Sequence, residues 1–519
     1  MSGQPHDSAD LIIVGGGHNA LCAAVLLARA GLSVRVLEAR GVIGGATRTE
    51  HPFERAPGLG VSTGAYLLGL MPPELIAELG VELPVLRRDP HYFLPTRDGR
   101  YLLFGADEAA TEQQMLERFS AADLRAHRAL QRELSALRED LAPAWLQEPR
   151  SLEETAERHM RPELRQVFID LCRGSVGAYL ERFGFRSELL KAMYAVTDGF
   201  SGLCGGWDTP GTGHNFLVHN MCRLPGAGGT WMVVEGGMGT VARVLRDAAE
   251  RAGARIETGA EVVRVRVEEG VTRGVELSDG RSLSANAVLV GSDPFTLADL
   301  VPQLPDTLAA RIEAMQRPGT TLKVNLALRE LPTFRCLPED RGQFRTTIHI
   351  LPEEGGILEK MNAAFEAAMA GELPEEPMIE WYTHTVVDPS LRDDAGRHSA
   401  ALFVQWVPHT LASGSWDTAI DGYVERLLGL CDQLAPNMSD VVEDSLALHP
   451  QAIEARFGMR GGHIHHVDNT LAFDARMPYD AGVPGLYACG AGCHPAGSVI
   501  GLAGRNAAHR VLRDLGVAS

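Results

Sequence analysis

Three consecutive glycines, Gly15-Gly16-Gly17, close the apolar run Leu11-Ile12-Ile13-Val14 and precede an Ala- and Leu-rich run from Ala20 to Ala30. Their types and spacing suit a pyrophosphate. Gly15 can make a tight turn off a strand. Gly17 has no Cβ, so the backbone can approach phosphate oxygens. Ala20 stands where such a fingerprint takes Gly or Ala for close helix–strand contact, and Asn19 belongs to the same turn. Glu38, about 20 residues further on, is placed to accept hydrogen bonds from an adenosine ribose. The elements that must hold these residues are readable too. Gly31 stops the helix, and Val34-Arg35-Val36-Leu37 reads as a second strand ending at Glu38. Strand, turn, helix and strand in that order form a dinucleotide-binding βαβ unit. The helix N-terminus aims free N–H groups at the phosphates.

The residues after Glu38 bear on which dinucleotide is held. Ala39-Arg40 and then Gly44-Gly45-Ala46 resemble an extension found in flavoproteins of the phytoene-desaturase and amine-oxidase group. In those proteins a second glycine pair follows the acid and packs along the FAD. The resemblance implies FAD, with Ala39, Arg40, Gly45 and Ala46 beside it.

Composition sets outer limits. With 519 residues, the chain is too long for one ordinary domain. A net charge of −19 disfavours nucleic acid and anionic membrane surfaces, which call for positive patches. No apolar run approaches the length of a spanning helix. The polar, acidic start MSGQPHDSAD lacks the features of a signal or transit peptide, so a cytoplasmic protein is expected. The eight cysteines are scattered without a C-x-x-C pair, as small buried residues are.

Further along, a helix is expected at Pro72 to Leu75, and His91 to Phe104 reads as a hairpin turning at Asp98-Gly99. Ala106 to Trp145 carries apolar residues at helical spacing, including Leu116, Phe119, Leu124 and Leu130, and more helices run to about Phe200. These read as a cap. Gly236 to Gly239 opens a helix, and alternating valines then give a strand ladder with a turn at Asp279-Gly280. That order recurs in glutathione-reductase-type flavoproteins, where a backbone group of the first strand contacts the adenine; the resemblance points to Val263. Thr320 to Leu328, Met378 to Val386 and Ala400 to Val407 read as strands of a second sheet, with helices at Ile357 to Ala370 and Trp416 to Leu434. The expected fold is α/β: a discontinuous Rossmann-type, glutathione-reductase-like FAD-binding domain with an inserted α+β substrate domain and helical cap. FAD-domain sequence is expected at 1–75, 226–300 and 451–519, and substrate-domain sequence at 76–225 and 301–450.

The C-terminal stretch from Gly485 to Ala508 again runs from a strand into a glycine turn and a helix N-terminus, which can steady negative charge on a flavin edge. It is similar to the closing flavin motif of phytoene-desaturase-like oxidoreductases. Several blocks resemble more closely the family called pyridine nucleotide-disulfide oxidoreductase domain-containing protein 2. They are HNALCAAVLLARAG, Thr209 to Met221, Val234 to Gly239, Glu375 to Glu380, Gly414 to Asp417 and Arg456 to His466. The resemblance implies that Gly490, Gly492, Val499 and Ile500 line the flavin. The chain departs from the family at the expected substrate face. It reads His494-Pro495-Ala496-Gly497-Ser498-Val499 for HPGGGV, with Asn220 where a second histidine is common and His465 where an aromatic is usual.

FAD takes hydride at N5. The implied reaction is dehydrogenation of a C–C bond in a largely apolar small molecule, with a proton lost to a base; His219, His463 and His466 are the candidates. Other readings are amine or C–N oxidation, redox-neutral double-bond isomerisation on reduced FAD, and a non-catalytic flavoprotein interaction subunit. No metal is assigned, because His463-Ile464-His465-His466 lacks H-E-x-x-H. Cys493 stands near the expected flavin edge, but its neighbours do not resemble a tether motif, so FAD is expected without a covalent bond. There is no second glycine fingerprint, and the expected electron acceptor is oxygen, a quinone or a partner protein.

Overall fold

The computed structural model describes residues 8–105, 107–227, 229–352 and 355–517. The first seven residues of the polar N-terminus, and Ala106 at the head of the amphipathic stretch, lie outside that set. The opening strand, Ser8–Val14, is buried over its last four residues. Its alternatives to pairing are few, and it takes a parallel partner on each side: Val34–Glu38 and Ser282–Val290. Arg255–Thr258 extends the sheet beyond Val34–Glu38. On the far side of Ser282–Val290, Val271–Leu277 pairs antiparallel with its first half and Leu486–Ala488 pairs parallel with its second half. Val262–Glu268 completes this seven-stranded sheet. Residues from both ends of the chain therefore flank one central strand.

A second seven-stranded sheet runs in the order Val442–Leu448, Thr321–Leu328, His398–Gln405, Met378–Tyr382, Thr347–Ile350, Tyr92–Pro95, Tyr101–Phe104. All its pairs are antiparallel except Thr347–Ile350 with Tyr92–Pro95. It has its own core around Phe93, Phe334, Trp381 and Leu402. The cap helices share the core of the first sheet.

Two sequence expectations need correction here. Met378 to Val386 is not one strand: it ends at Tyr382 and becomes a short helix, His384–Val387. The other lies in the amphipathic stretch to Trp145, which forms two helices, Glu108–Arg118 and Ala121–Trp145. Ser120 ends the continuity, because its hydroxyl accepts from the Asp123 amide and so caps the second helix. Leu116, read as part of the apolar stripe, is 46% exposed. Among the described residues no helix is long and apolar enough to cross a membrane.

Candidate active site

At the end of the first strand, Gly15 has φ +92°, a conformation that glycine adopts freely. A Cβ on Gly17 would meet nothing within 4 Å, so its outer face is open. The helix His18–Arg29 begins there with no side-chain cap and no acid in its first turn. Its leading N–H groups are available to an anion. Glu38 ties the turn together: Oε2 accepts from the Gly16 amide at 2.7 Å and Oε1 from the Arg40 amide at 2.9 Å. The Gly44 amide donates to the Gly16 carbonyl at 2.8 Å, which lays the second glycine pair against the first. These features fit an FAD pyrophosphate and ribose: an open glycine face, uncapped amides and a carboxylate at the second strand's end.

The chain's far end closes the same cleft. The His18 ring donates from Nε2 to the Ser498 carbonyl at 3.2 Å. Asn469 clamps the loop before the last helix, accepting from the Gly497 amide at 2.8 Å and donating to its carbonyl at 3.0 Å. The last helix, Leu502–Asp514, starts uncapped at Gly501. A cavity of about 470 Å³ runs from Glu38 and the glycines past Ser498 and Val499 into a chamber under the second sheet.

Gly15, Gly17, Asn19, Glu38, Ala39, Arg40, Gly45, Ala46 and Val499 all line this cavity, as do His219 and His466. Ala20, Val263, Gly490, Gly492, Ile500 and His463 do not. Ala20 packs under Gly291, whose added Cβ would lie 3.0 Å from it. Gly490 and Gly492 sit tight against Ser292 and Pro294. Ile500 is buried in the core, whereas the Val263 side chain is 46% exposed. Glu261 and Val262 line the cleft at that point. His463 is held as a post: Nε2 donates to Asp468 at 3.3 Å, and Nδ1 accepts from the His465 amide at 3.3 Å. Cys493 does not line the cleft either, and burial pushes its thiol up to about 12.

The chamber wall holds residues that the sequence reading passed over. Lys323 lies in a strand buried along its whole length. Its Nζ donates to the Ser62 carbonyl at 2.6 Å and to the Gly64 carbonyl, and sits 3.1 Å from the Tyr66 ring centroid. Burial lowers its pKa well below the usual lysine value. Glu380 is buried in the strand Met378–Tyr382, accepts from the Tyr382 hydroxyl, and is pushed up to about 7 by burial. Tyr66, Tyr92, Trp231, Tyr382 and Phe403 supply the apolar wall. A single charged residue in each of two mostly apolar strands was the available signal. His466, at φ +61°, lies on the cofactor side near Asp293 and His18, while His465 reaches the chamber.

Residues 21–357 match the profile of flavin containing amine oxidoreductases. The chain is 34% identical to pyridine nucleotide-disulfide oxidoreductase domain-containing protein 2 of Rattus norvegicus, over 98% of this chain and 94% of that protein. It is 27% identical to hydroxyneurosporene desaturase of Cereibacter sphaeroides, over 97% of this chain and 98% of the desaturase. Among solved structures, putrescine oxidase bound to putrescine aligns with a TM-score of 0.61 at 17% identity, covering 98% of this chain and 99% of the oxidase. That likeness establishes a shared fold.

Proposed function

The chain belongs to the flavin-containing amine oxidoreductases, with FAD as its cofactor, and from that premise we propose that it dehydrogenates a small molecule with a largely apolar body. The bond oxidised on this reading is C–C. The observation that carries it is the continuity of the cavity: the glycine cradle opens directly into an aromatic chamber. The desaturase relative supports C–C over C–N chemistry. FAD, when bound, supplies an acceptor for hydride at N5. The chain's own part is to bind, orient and keep water out. Tyr66, Tyr92, Trp231, Tyr382 and Phe403 surround the apolar body. Lys323 acts as a positioning residue, pinning the Ser62 and Gly64 carbonyls and with them the Tyr66 face of the chamber. Of the candidate histidines, His219 lines the chamber: its Nδ1 donates to the Thr197 carbonyl at 3.0 Å, so Nε2 presents a lone pair to the substrate.

The test is an anaerobic screen of the yellow holoprotein against cyclic and linear alkenes, alcohols and amines. The expected result is bleaching of the flavin's visible band by a donor whose product has one more C=C bond. Peroxide release with amines alone would move the assignment to C–N oxidation. Product formed with no net reduction of an acceptor would point to isomerisation. A flavin that neither substrates nor light can reduce would leave only a non-catalytic role.

A further inference from the structure

His219, His465 and Glu380 stand on different parts of the chamber wall, and each carries an atom with no hydrogen-bond partner: His219 Nε2, His465 Nδ1 and Glu380 Oε1. All three side chains are more than nine-tenths buried. Their hydrogen-bonding sense is fixed by the backbone. The π-helical turn Val196–Phe200 and the residue after it present two carbonyls: Thr197 O lies 3.0 Å from His219 Nδ1, and Ser201 O lies 2.7 Å from His465 Nε2. A carbonyl only accepts, so each ring must donate there, and its other nitrogen is a lone-pair acceptor. Burial keeps both rings neutral, at about 4 and about 3. On Glu380, Oε2 accepts from the Tyr382 hydroxyl, while Oε1 has no partner, with the Thr197 hydroxyl and the Gln405 amide close to the carboxylate. Buried acceptors are rarely left unpaired in native interiors, and a cluster of them in a ligand chamber calls for a donor.

Charge narrows the donor. The Arg88 guanidinium is buried next to Glu380, donating to Thr347 Oγ1 and the Trp231 carbonyl at 2.9 Å each. Arg88 lies within electrostatic reach of Glu380, as does the Asp198 carboxyl, and burying a further cation costs more than burying a neutral hydroxyl. We propose that His219, His465 and Glu380 are specificity-determining residues that read neutral O–H donors, so that the substrate is a hydroxyl-bearing molecule with an apolar body rather than a plain hydrocarbon. Tyr66 and Thr321 also line the chamber with unpartnered hydroxyls, and these can bond a hydroxyl oxygen in either sense. This inference rests on the flavin-dependent reading of the same chamber.

It is tested by titrating the oxidised holoprotein with three probes of equal heavy-atom count and following the flavin spectrum: 1-hexanol, methyl pentyl ether and hexylammonium. The expected result is half-saturation by 1-hexanol at a concentration about ten-fold or more below that of either other probe. Glu380→Leu and His219→Phe should each cut this preference to about three-fold or less. Glu380→Gln, which keeps the shape, serves if the leucine variant fails to hold FAD; it should lower the preference part-way. Equal response to ether and alcohol, a preference for hexylammonium, or no response to any probe at millimolar concentration overturns the inference. A colourless protein would instead sink the flavin assignment itself, so the two failures are distinguishable.

Discussion

Glu38 shows how one side chain can organise a turn through both of its oxygens. Its carboxylate accepts from the Gly16 and Arg40 amides, so it fixes the glycine turn against the second strand. The residue type and position were readable because the fingerprint depends on local spacing. The choice among histidines was not, because His463 and His465 are two residues apart and only the loop's path decides which one reaches the chamber. Glu380 was hidden for a related reason: its setting comes from neighbours on other segments, Thr197, Asp198, Arg88, Tyr92 and Gln405. That setting gives a testable pH dependence. Burial raises the Glu380 carboxyl from its ordinary 4.5 to about 7. Below the lower value the carboxyl is protonated in both folded and unfolded chains, and its burial carries no ionisation penalty. As pH rises through the interval the unfolded chain ionises first, and stability falls by an amount of about 3 kcal/mol that is complete above the folded value. Asp198, also raised to about 7 by burial and by the Glu380 charge, loses stability in the same direction. Glu380→Gln imitates the protonated form. Urea denaturation of the holoprotein at pH 5 and pH 8 should therefore show the variant gaining on the wild type by up to about 3 kcal/mol between them. An unchanged difference would mean that Glu380 ionises as an exposed glutamate does.

The first and last helices meet at a point where neither can give. A Cβ on Gly504 would lie 1.8 Å from the Asn19 carbonyl, far inside van der Waals contact, and the obstacle is backbone in the first turn of His18–Arg29. That turn carries His18 and Asn19, both on the cavity wall. Gly504→Ala must push the C-terminal helix off the cofactor helix. The expected loss is about 3 kcal/mol in stability, together with weaker retention of FAD during gel filtration. Gly429 provides the contrast. It is exposed in the interior of the helix Trp416–Asp432, and an added Cβ meets nothing within 4 Å. Gly429→Ala should stabilise by about 1 kcal/mol, through helix propensity alone, and leave FAD bound. Equal effects from the two substitutions would show that the helix crossing does not shape the cofactor cleft. Both helices could be read from periodicity and glycine punctuation; their contact could not, because it joins residues at opposite ends of the chain. The strand that ended early is a different case. Thr383 leaves the extended conformation, and the buried His384 then begins a short helix, a change that the apolar pattern through Val386 does not signal.

At the scale of the molecule, the chain builds part of the first sheet, leaves to form the hairpin Tyr92–Phe104 of the second, and returns for Arg255–Val290. It crosses again for Thr321–Leu448 and comes back for Leu486–Ala488. The returns of the chain to the first sheet left a mark in the sequence, since each brought a glycine turn or a valine ladder. Strand order and register could not, because pairing is set by partners hundreds of residues away. The consequence is mechanical. Each sheet has its own core, yet the cavity takes Gly15 and Glu38 from one side and Lys323, Glu380 and Phe403 from the other. Lys323 additionally ties the second sheet to the Ser62–Gly64 segment. A cofactor held in this cleft binds only when both sides are in place, so its binding energy must be lost together with both. On heating, release of the flavin, followed by its fluorescence, and loss of helix and sheet, followed by circular dichroism, should coincide. The shared midpoint should rise with added free FAD, by a stabilisation of about 2.7 kcal/mol at a hundred-fold excess over Kd. Flavin emission that rises well before the dichroism falls would mean that the cleft opens while the sheets persist, and the cofactor would then be a guest of the first sheet alone.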